Sequence, residues 1–166
     1  MARAFGYAVT VLLLAGAAWA ADPIERILAR VDGQAILLSD LRVARALGLG
    51  GVRTDDEEIV ALRRLVDRQL VLIEVLRIQP VEPDAAAVAR VAQGLTLLAG
   101  GAARLAGILT AAGLPSGYVQ RLAREQVWTE VYARQRFGED ASGGARASWV
   151  RDLRRRGTVA CRLPGC

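Results

Sequence analysis

Residues 24–47, IERILARVDGQAILLSDLRVARAL, decide the fold. Ile24 to Val31 and Gln34 to Leu38 are short β-prone runs separated by Asp32-Gly33. Both residues of that pair tolerate the positive φ of a type I′ turn, so a β-hairpin is predicted. Ser39 follows the second run and is predicted to N-cap a helix through its hydroxyl. Asp40 then falls in the first helical turn, where a negative charge suits the helix dipole. The segment reads as strand, turn, strand, helix.

Upstream, residues 1–20 have the layout of a secretory signal peptide. Arg3 and the amino terminus supply positive charge, Tyr7 to Ala18 an apolar stretch, and Ala18-Trp19-Ala20 a small-x-small cleavage site. The apolar stretch is shorter than the ~20 residues of a membrane-spanning helix, which favours a cleaved signal over the alternative, an uncleaved anchor. The mature chain is therefore expected to begin near Ala21, to reach the periplasm, and to fold as one domain over residues 21–166.

Charge and composition remove several functions. All 22 basic residues are arginine, set against 17 acidic residues, and there is no histidine. Exclusive arginine usage reflects a coding bias toward GC-rich codons, and the arginines are scattered among acids outside Arg151 and Arg154 to Arg156. A nucleic-acid binder concentrates its basic residues on one face, so no nucleic-acid partner is expected. Without histidine the commonest general base and metal ligand are missing. Without lysine there is no Schiff-base chemistry. No catalytic residue, metal ligand set or cofactor is assigned. The acidic run Asp55 to Glu58 fits helix capping better than metal binding. Arg154 to Arg156 read as a solvated helix end facing its own carbonyls, with a peripheral membrane contact left open.

Beyond the opening segment the chain is helical. Gly48 to Arg53 is a glycine-rich break. Thr54 and Glu57 are spaced as a capping box for a helix running to about Ile78, whose middle, Leu70 to Leu76, carries one charge and belongs in a core. Pro83 and Asp84 open an alanine-rich helix to about Leu98. Gly100-Gly101 breaks it, Ala102 to Ala112 is a short helix, and Ser116 to Phe137 is a long one with an apolar stripe at Val119, Leu122, Ala123, Val127 and Val131. A polar linker, Glu139 to Gly144, leads to a helix over Ala147 to Arg156. Gly157 stops that helix, and Thr158 to Leu163 alternates like a strand. A lone terminal strand needs a partner, so the two ends of the chain are expected to meet in one small sheet. Cys161 and Cys166 can close a short loop through Pro164-Gly165 in an oxidising compartment; two free thiols, or a link to another molecule, are the alternatives.

These elements, in this order, resemble the amino-terminal module of SurA-type periplasmic chaperones and related peptidyl-prolyl isomerases. The opening pattern is carried by Ile27, Val31, Asp32, Gly33, Ile36, Leu38, Ser39, Asp40 and Leu41. The long apolar helix is matched by Leu62 to Leu72, and the next helix start by Val81 to Asp84. The later long helix is matched by Tyr118 to Phe137, with Arg121, Glu125 and Val131 in fitting places. The segment that returns to the first module is matched by Trp149 to Leu163. The resemblance implies a mainly α, multi-helix SurA N-like domain with a small antiparallel sheet formed by the hairpin and the C-terminal strand. That family inserts parvulin isomerase domains near the position of residues 138–147, where this chain has room for a linker only. The implied activity is thus not enzymatic. It is ATP-independent holding of unfolded or extended polypeptide clients, outer-membrane-protein precursors among them. Binding of one specific protein by the same fold is the alternative.

Two groups of apolar residues are candidates for polypeptide binding. Leu97, Leu98, Leu105 and Leu109 lie in a segment more apolar than a short helix needs. Tyr118, Trp128 and Tyr132 belong to an aromatic set confined to residues 118–149. Each group has a second reading as core, the aromatics packing the long helix against the returning tail.

Overall fold

The computed structural model describes residues 25–78, 80–138 and 143–166; the leader expected over 1–20 and most of the expected linker lie outside them. The opening segment forms β1 (Ile27–Val31) and β2 (Gln34–Leu37), followed at once by α1 (Leu38–Leu47). Asp32 has φ 46° and Gly33 φ 84°, the positive values the turn demands. The strands pair antiparallel with Val31 opposite Gln34 and Ile27 opposite Leu37. One extra residue, Leu28, sits in β1 between those pairs as a bulge. The bulge turns both Leu28 and Ala29 inward, where strict alternation would bury only one.

The start of α1 differs from expectation. Ser39 lies one residue inside the helix, and its buried hydroxyl does not cap it. The capping groups are two carboxylates. Asp40 accepts from the Leu37 N–H at 2.8 Å, and Glu25, from before β1, accepts from the Ser39 N–H at 3.2 Å. Slight burial pushes the Glu25 carboxyl up, but its hydrogen bonds from Ser39 and Arg26 outweigh this and hold it below the usual carboxylate range.

The remaining helices are α2 (Glu58–Arg77), α3 (Ala85–Leu98), α4 (Ala102–Ala111), α5 (Tyr118–Phe137) and α6 (Gly144–Arg156). The capping box expected at Thr54 does not form. Residues 54–56 make a turn closed by Asp56, which accepts from the Arg53 N–H at 2.7 Å, while the Thr54 hydroxyl donates to the Arg45 carbonyl at 3.3 Å. At α3 the N-cap is Asp84, accepting from the Ala87 N–H at 2.9 Å. As expected, α2 is the central helix. Leu62, Val66 and Val75 are fully buried in one connected core with Leu28, Val31, Leu41, Val43 and Leu47. α3 and α5 pack along each other beside it, and α4 covers the far end of α1 and α3.

The opening hairpin and the closing strand meet. β3 (Val159–Cys161) pairs antiparallel with β1, Val31 opposite Val159 and Ala29 opposite Cys161, giving the sheet order β2-β1-β3. Asp32 serves this closure as well as the turn. Its N–H donates to the Thr158 carbonyl at 2.9 Å, and its carboxylate accepts from the Thr158 N–H at 2.7 Å. Gly157 sits where α6 meets the sheet. A Cβ there would lie 2.6 Å from Leu70 Cδ2 and 3.1 Å from the Leu153 carbonyl oxygen. β3 stops at Cys161, sooner than the alternation suggested, and the chain bends through Gly165 (φ 81°). The bend brings the Cα atoms of Cys161 and Cys166 to 5.9 Å, and the two are joined by a disulfide. Arg154 also departs from expectation. Instead of facing its own helix end it donates to Asp67 Oδ1 at 2.8 Å and to the Arg63 carbonyl at 2.9 Å, tying α6 to α2.

This closure predicts that the tail is part of the domain. Gly157→Ala should cost about 1–3 kcal/mol, because Leu70 and the Leu153 carbonyl are confined by the core. Deleting residues 157–166 should cost more, lowering the melting midpoint by roughly 6–12 °C for a loss of about 3 kcal/mol. Thermal melts measure both, and an unchanged midpoint for the deletion would show the strand pairing to be dispensable.

Candidate functional site

α2 ends because Pro80 lies just beyond it and cannot continue a helix. Pro80 and Pro83, three residues apart, keep the chain extended between α2 and α3. This extended segment lies across α5 and is held there by side chains from that helix. Trp128 Nε1 donates to the Val81 carbonyl at 2.9 Å, and Arg124 pairs with Glu82 at 2.7 Å. With its main chain tied down, Val81 projects its side chain into solvent and is 89% exposed. Ile78 is 55% exposed beside it. The two border an open groove of about 400 Å³ whose other walls are Val75, Pro80, Pro83, Trp128, Val131 and Tyr132, with Glu82 and Gln135 as its polar members.

A second cleft, of about 570 Å³, runs between α2, α3, α5 and α6 under the glycine-rich turn Gly48–Gly51. Val71, Val91, Leu95 and Leu98 line one part of it, and Arg64, Asp67, Arg68 and Glu130 the other. Its charges are largely matched. Arg68 pairs with Glu125 at 2.8 Å, Arg64 with Asp56 at 2.9 Å and Asp67 with Arg154 at 2.8 Å, while Glu130 accepts from the neutral Gln126 Nε2 at 2.9 Å. The first groove is the more apolar of the two.

The seven sequence-predicted binding residues are not brought together. Leu105 and Leu109 are buried, fixing α4 to the core, and so present nothing to a client. Tyr118 is buried too. Its hydroxyl donates to Asp40 Oδ1 at 2.8 Å, joining α5 to the start of α1. Leu97 and Leu98, 70% and 69% exposed, stand at the end of α3 away from the first groove. Trp128 and Tyr132 line the groove. Tyr132 also stacks on buried Trp149 with ring centroids 5.5 Å apart, and Phe137 meets the same indole at 5.4 Å. The aromatic set thus packs α5 against α6, with Trp128 outside that stack. Val131, assigned to the apolar stripe of α5, faces the groove and is partly exposed.

Ile78, Val81 and the two prolines were missed as site residues. Their signal was present in Pro80-Val81-Glu82-Pro83, where proline three apart enforces an extended chain that cannot bury every side chain. Among the described residues, no three of His, Cys, Asp and Glu gather where a metal ion would sit. Compared with protein-family models, curated proteins and solved structures, the chain matches none.

Burial, and then the neighbouring Asp40 carboxylate, push the Tyr118 phenol well above its usual value of 10.0. The folded state therefore favours the neutral phenol, and stability from this group is complete below pH ~10 and is lost as the pH rises beyond it. Tyr118→Phe should cost about 1–2 kcal/mol at pH 7 through the lost bond to Asp40. The gap in melting midpoint between wild type and variant should narrow above pH ~10. Melts from pH 7 to 11 check both statements; a gap that stays constant with pH would remove Tyr118 from the alkaline response.

Proposed function

We propose that this chain is an exported, ATP-independent holdase module that binds unfolded or extended polypeptide in the groove between Pro80–Pro83 and α5. The observation that carries the reading is the cluster of exposed apolar side chains there. Ile78, Val81 and Val131 share one opening with Trp128 and Tyr132. Isolated exposed apolar residues are ordinary, but a contiguous set around a concave opening marks a protein-binding surface. An open apolar groove suits an extended segment whose side chains enter on one face. The resemblance to SurA-type chaperones supports the same reading, and outer-membrane-protein precursors are the clients it suggests. The module is read as non-enzymatic, with no parvulin insert between Phe137 and Trp149.

A second reading, capture of one specific protein, is favoured by a particular observation. The groove floor is fixed by the Trp128–Val81 hydrogen bond and the Arg124–Glu82 pair. Broad binders generally use surfaces that can repack.

Val81→Ser and Val131→Ser, combined, separate these outcomes from simple unfolding, since both residues are exposed. The variant should melt close to wild type. It should lose roughly tenfold in affinity for a reduced, unfolded client, because burying two valines is worth ~1.5 kcal/mol or more. Light scattering of an aggregating client and fluorescence anisotropy of a labelled unfolded peptide measure this. If wild type neither delays aggregation nor binds the peptide, the holdase reading fails. If it instead retains one folded protein tightly, through the same two valines, the second reading replaces it.

A further inference from the structure

We infer that the corner between α3 and α4 docks on an anionic lipid surface. From Ala85 to Arg124 the chain contains no Asp or Glu and four arginines. Arg121 and Arg124 are paired with Glu125 and Glu82. Arg90 and Arg104 are exposed, and neither has an ion-pair partner among the described residues. This is the stretch that also carries Leu97 and Leu98, the most exposed leucines of the described chain.

Helical geometry places these groups together. Arg90 and Leu97 are seven residues apart, two turns, so they share one solvent-facing side of α3. Gly100 (φ 88°) and Gly101 (φ 106°) then turn the chain, and their N–H groups donate to the carbonyls of Leu97 and Thr96 at 2.9 Å. The Arg104 side chain lies across Gly100, whose missing Cβ leaves it room: a methyl there would come within 3.2 Å of Arg104 Cδ. Leu97 therefore stands at the bend between two unpaired guanidinium groups. Leu98, on its other side, borders a pocket where Arg45 and Arg53 sit with a single carboxylate, Asp55, which Arg53 already holds at 3.1 Å.

Exposed leucines flanked by the unpaired Arg90 and Arg104 fit an interface that is apolar inside and negatively charged at its surface. A soluble acidic peptide without apolar side chains would satisfy the arginines and leave the leucines wet. α3 and α4 together have the length and composition of a membrane span, but they are bent by 83°, and no single helix of the described residues is long and apolar enough to cross a bilayer. The geometry is that of a corner resting on the headgroups with Leu97 and Leu98 dipping below them.

The test uses the chain from Ala21 onward, which retains every residue of the core described above and removes the apolar run Tyr7 to Ala18. Flotation with phosphatidylglycerol–phosphatidylcholine vesicles should show binding that weakens with salt, against little binding to phosphatidylcholine alone. Leu97→Ser with Leu98→Ser should reduce partitioning by roughly tenfold or more. Arg90→Gln with Arg104→Gln should reduce it severalfold and flatten the salt dependence. As a second measurement, Leu97→Cys carries a free thiol, since Cys161 and Cys166 are bonded to each other. An environment-sensitive dye attached there should shift to the blue on anionic vesicles. Equal, weak partitioning to both vesicle types, or a dye that does not shift, overturns the proposal. So does a finding that the leucine substitutions abolish a dimer in solution without affecting vesicle binding, which would give this corner to a second copy of the chain.

Discussion

Everything in this molecule depends on the pairing of β1 with strands from both directions. β1 and β2 alone would be a two-stranded hairpin, marginal in water. The third strand arrives more than 120 residues later, and Asp32 takes both main-chain polar groups of Thr158 as it does so. That closure makes the helices between the strands one large loop with fixed ends. It also sets α2 in the middle, because β1, α1, α5 and α6 all pack on it. Tight fits cluster where α2, α6 and the sheet converge. Gly157 leaves no room for a methyl against Leu70, and Arg154 bridges Asp67 and the Arg63 carbonyl.

Much of this architecture was legible because it rests on short-range chemistry. Asp32-Gly33 announces its turn through φ alone, and Gly100-Gly101 and Pro80 end their helices for reasons contained in single residues. The meeting of the chain ends was legible for a different reason. A lone strand at Thr158 to Leu163 had no other partner to find. What was not legible involves distant partners. Glu25 displaces Ser39 as the group serving the start of α1, fourteen positions apart. Asp56 closes a turn where Thr54 and Glu57 have the spacing of a capping box. The bulge at Leu28 appears only when β1 is laid against β2, since nothing in its own residues requires an extra one.

The candidate site shows the same division more sharply. Helical periodicity says which residues of a helix share a face, but it does not say whether another element covers that face. Leu97 and Leu105 look alike in sequence; one ends α3 in solvent and the other anchors α4. Trp128 and Trp149 are both indoles among aromatics, yet Trp149 is enclosed by Tyr132 and Phe137 while Trp128 spends its N–H on the Val81 carbonyl. Only the three-dimensional arrangement separates an apolar residue that completes the core from one left over.

Apart from Leu76 on α2, the exposed large apolar residues fall into two places of unlike character, and the difference argues against a single binding surface. Beside the extended Pro80–Pro83 segment the exposed groups are valines, an isoleucine and an indole around a concavity, and the nearest charges, Arg124 and Glu82, cancel each other. At the α3–α4 corner the exposed groups are two leucines beside the bend at Gly100-Gly101, and the unpaired charges there, Arg90 and Arg104, are of one sign. A concave neutral groove rewards a ligand that fills it, whatever that ligand's charge. A basic corner with its leucines standing out in solvent rewards a partner that is soft, extended in two dimensions and negative. Because the two places share no residue and sit on different helices, each can be altered without touching the other. The core beneath them, fixed by the β1 pairing, need not change in either case.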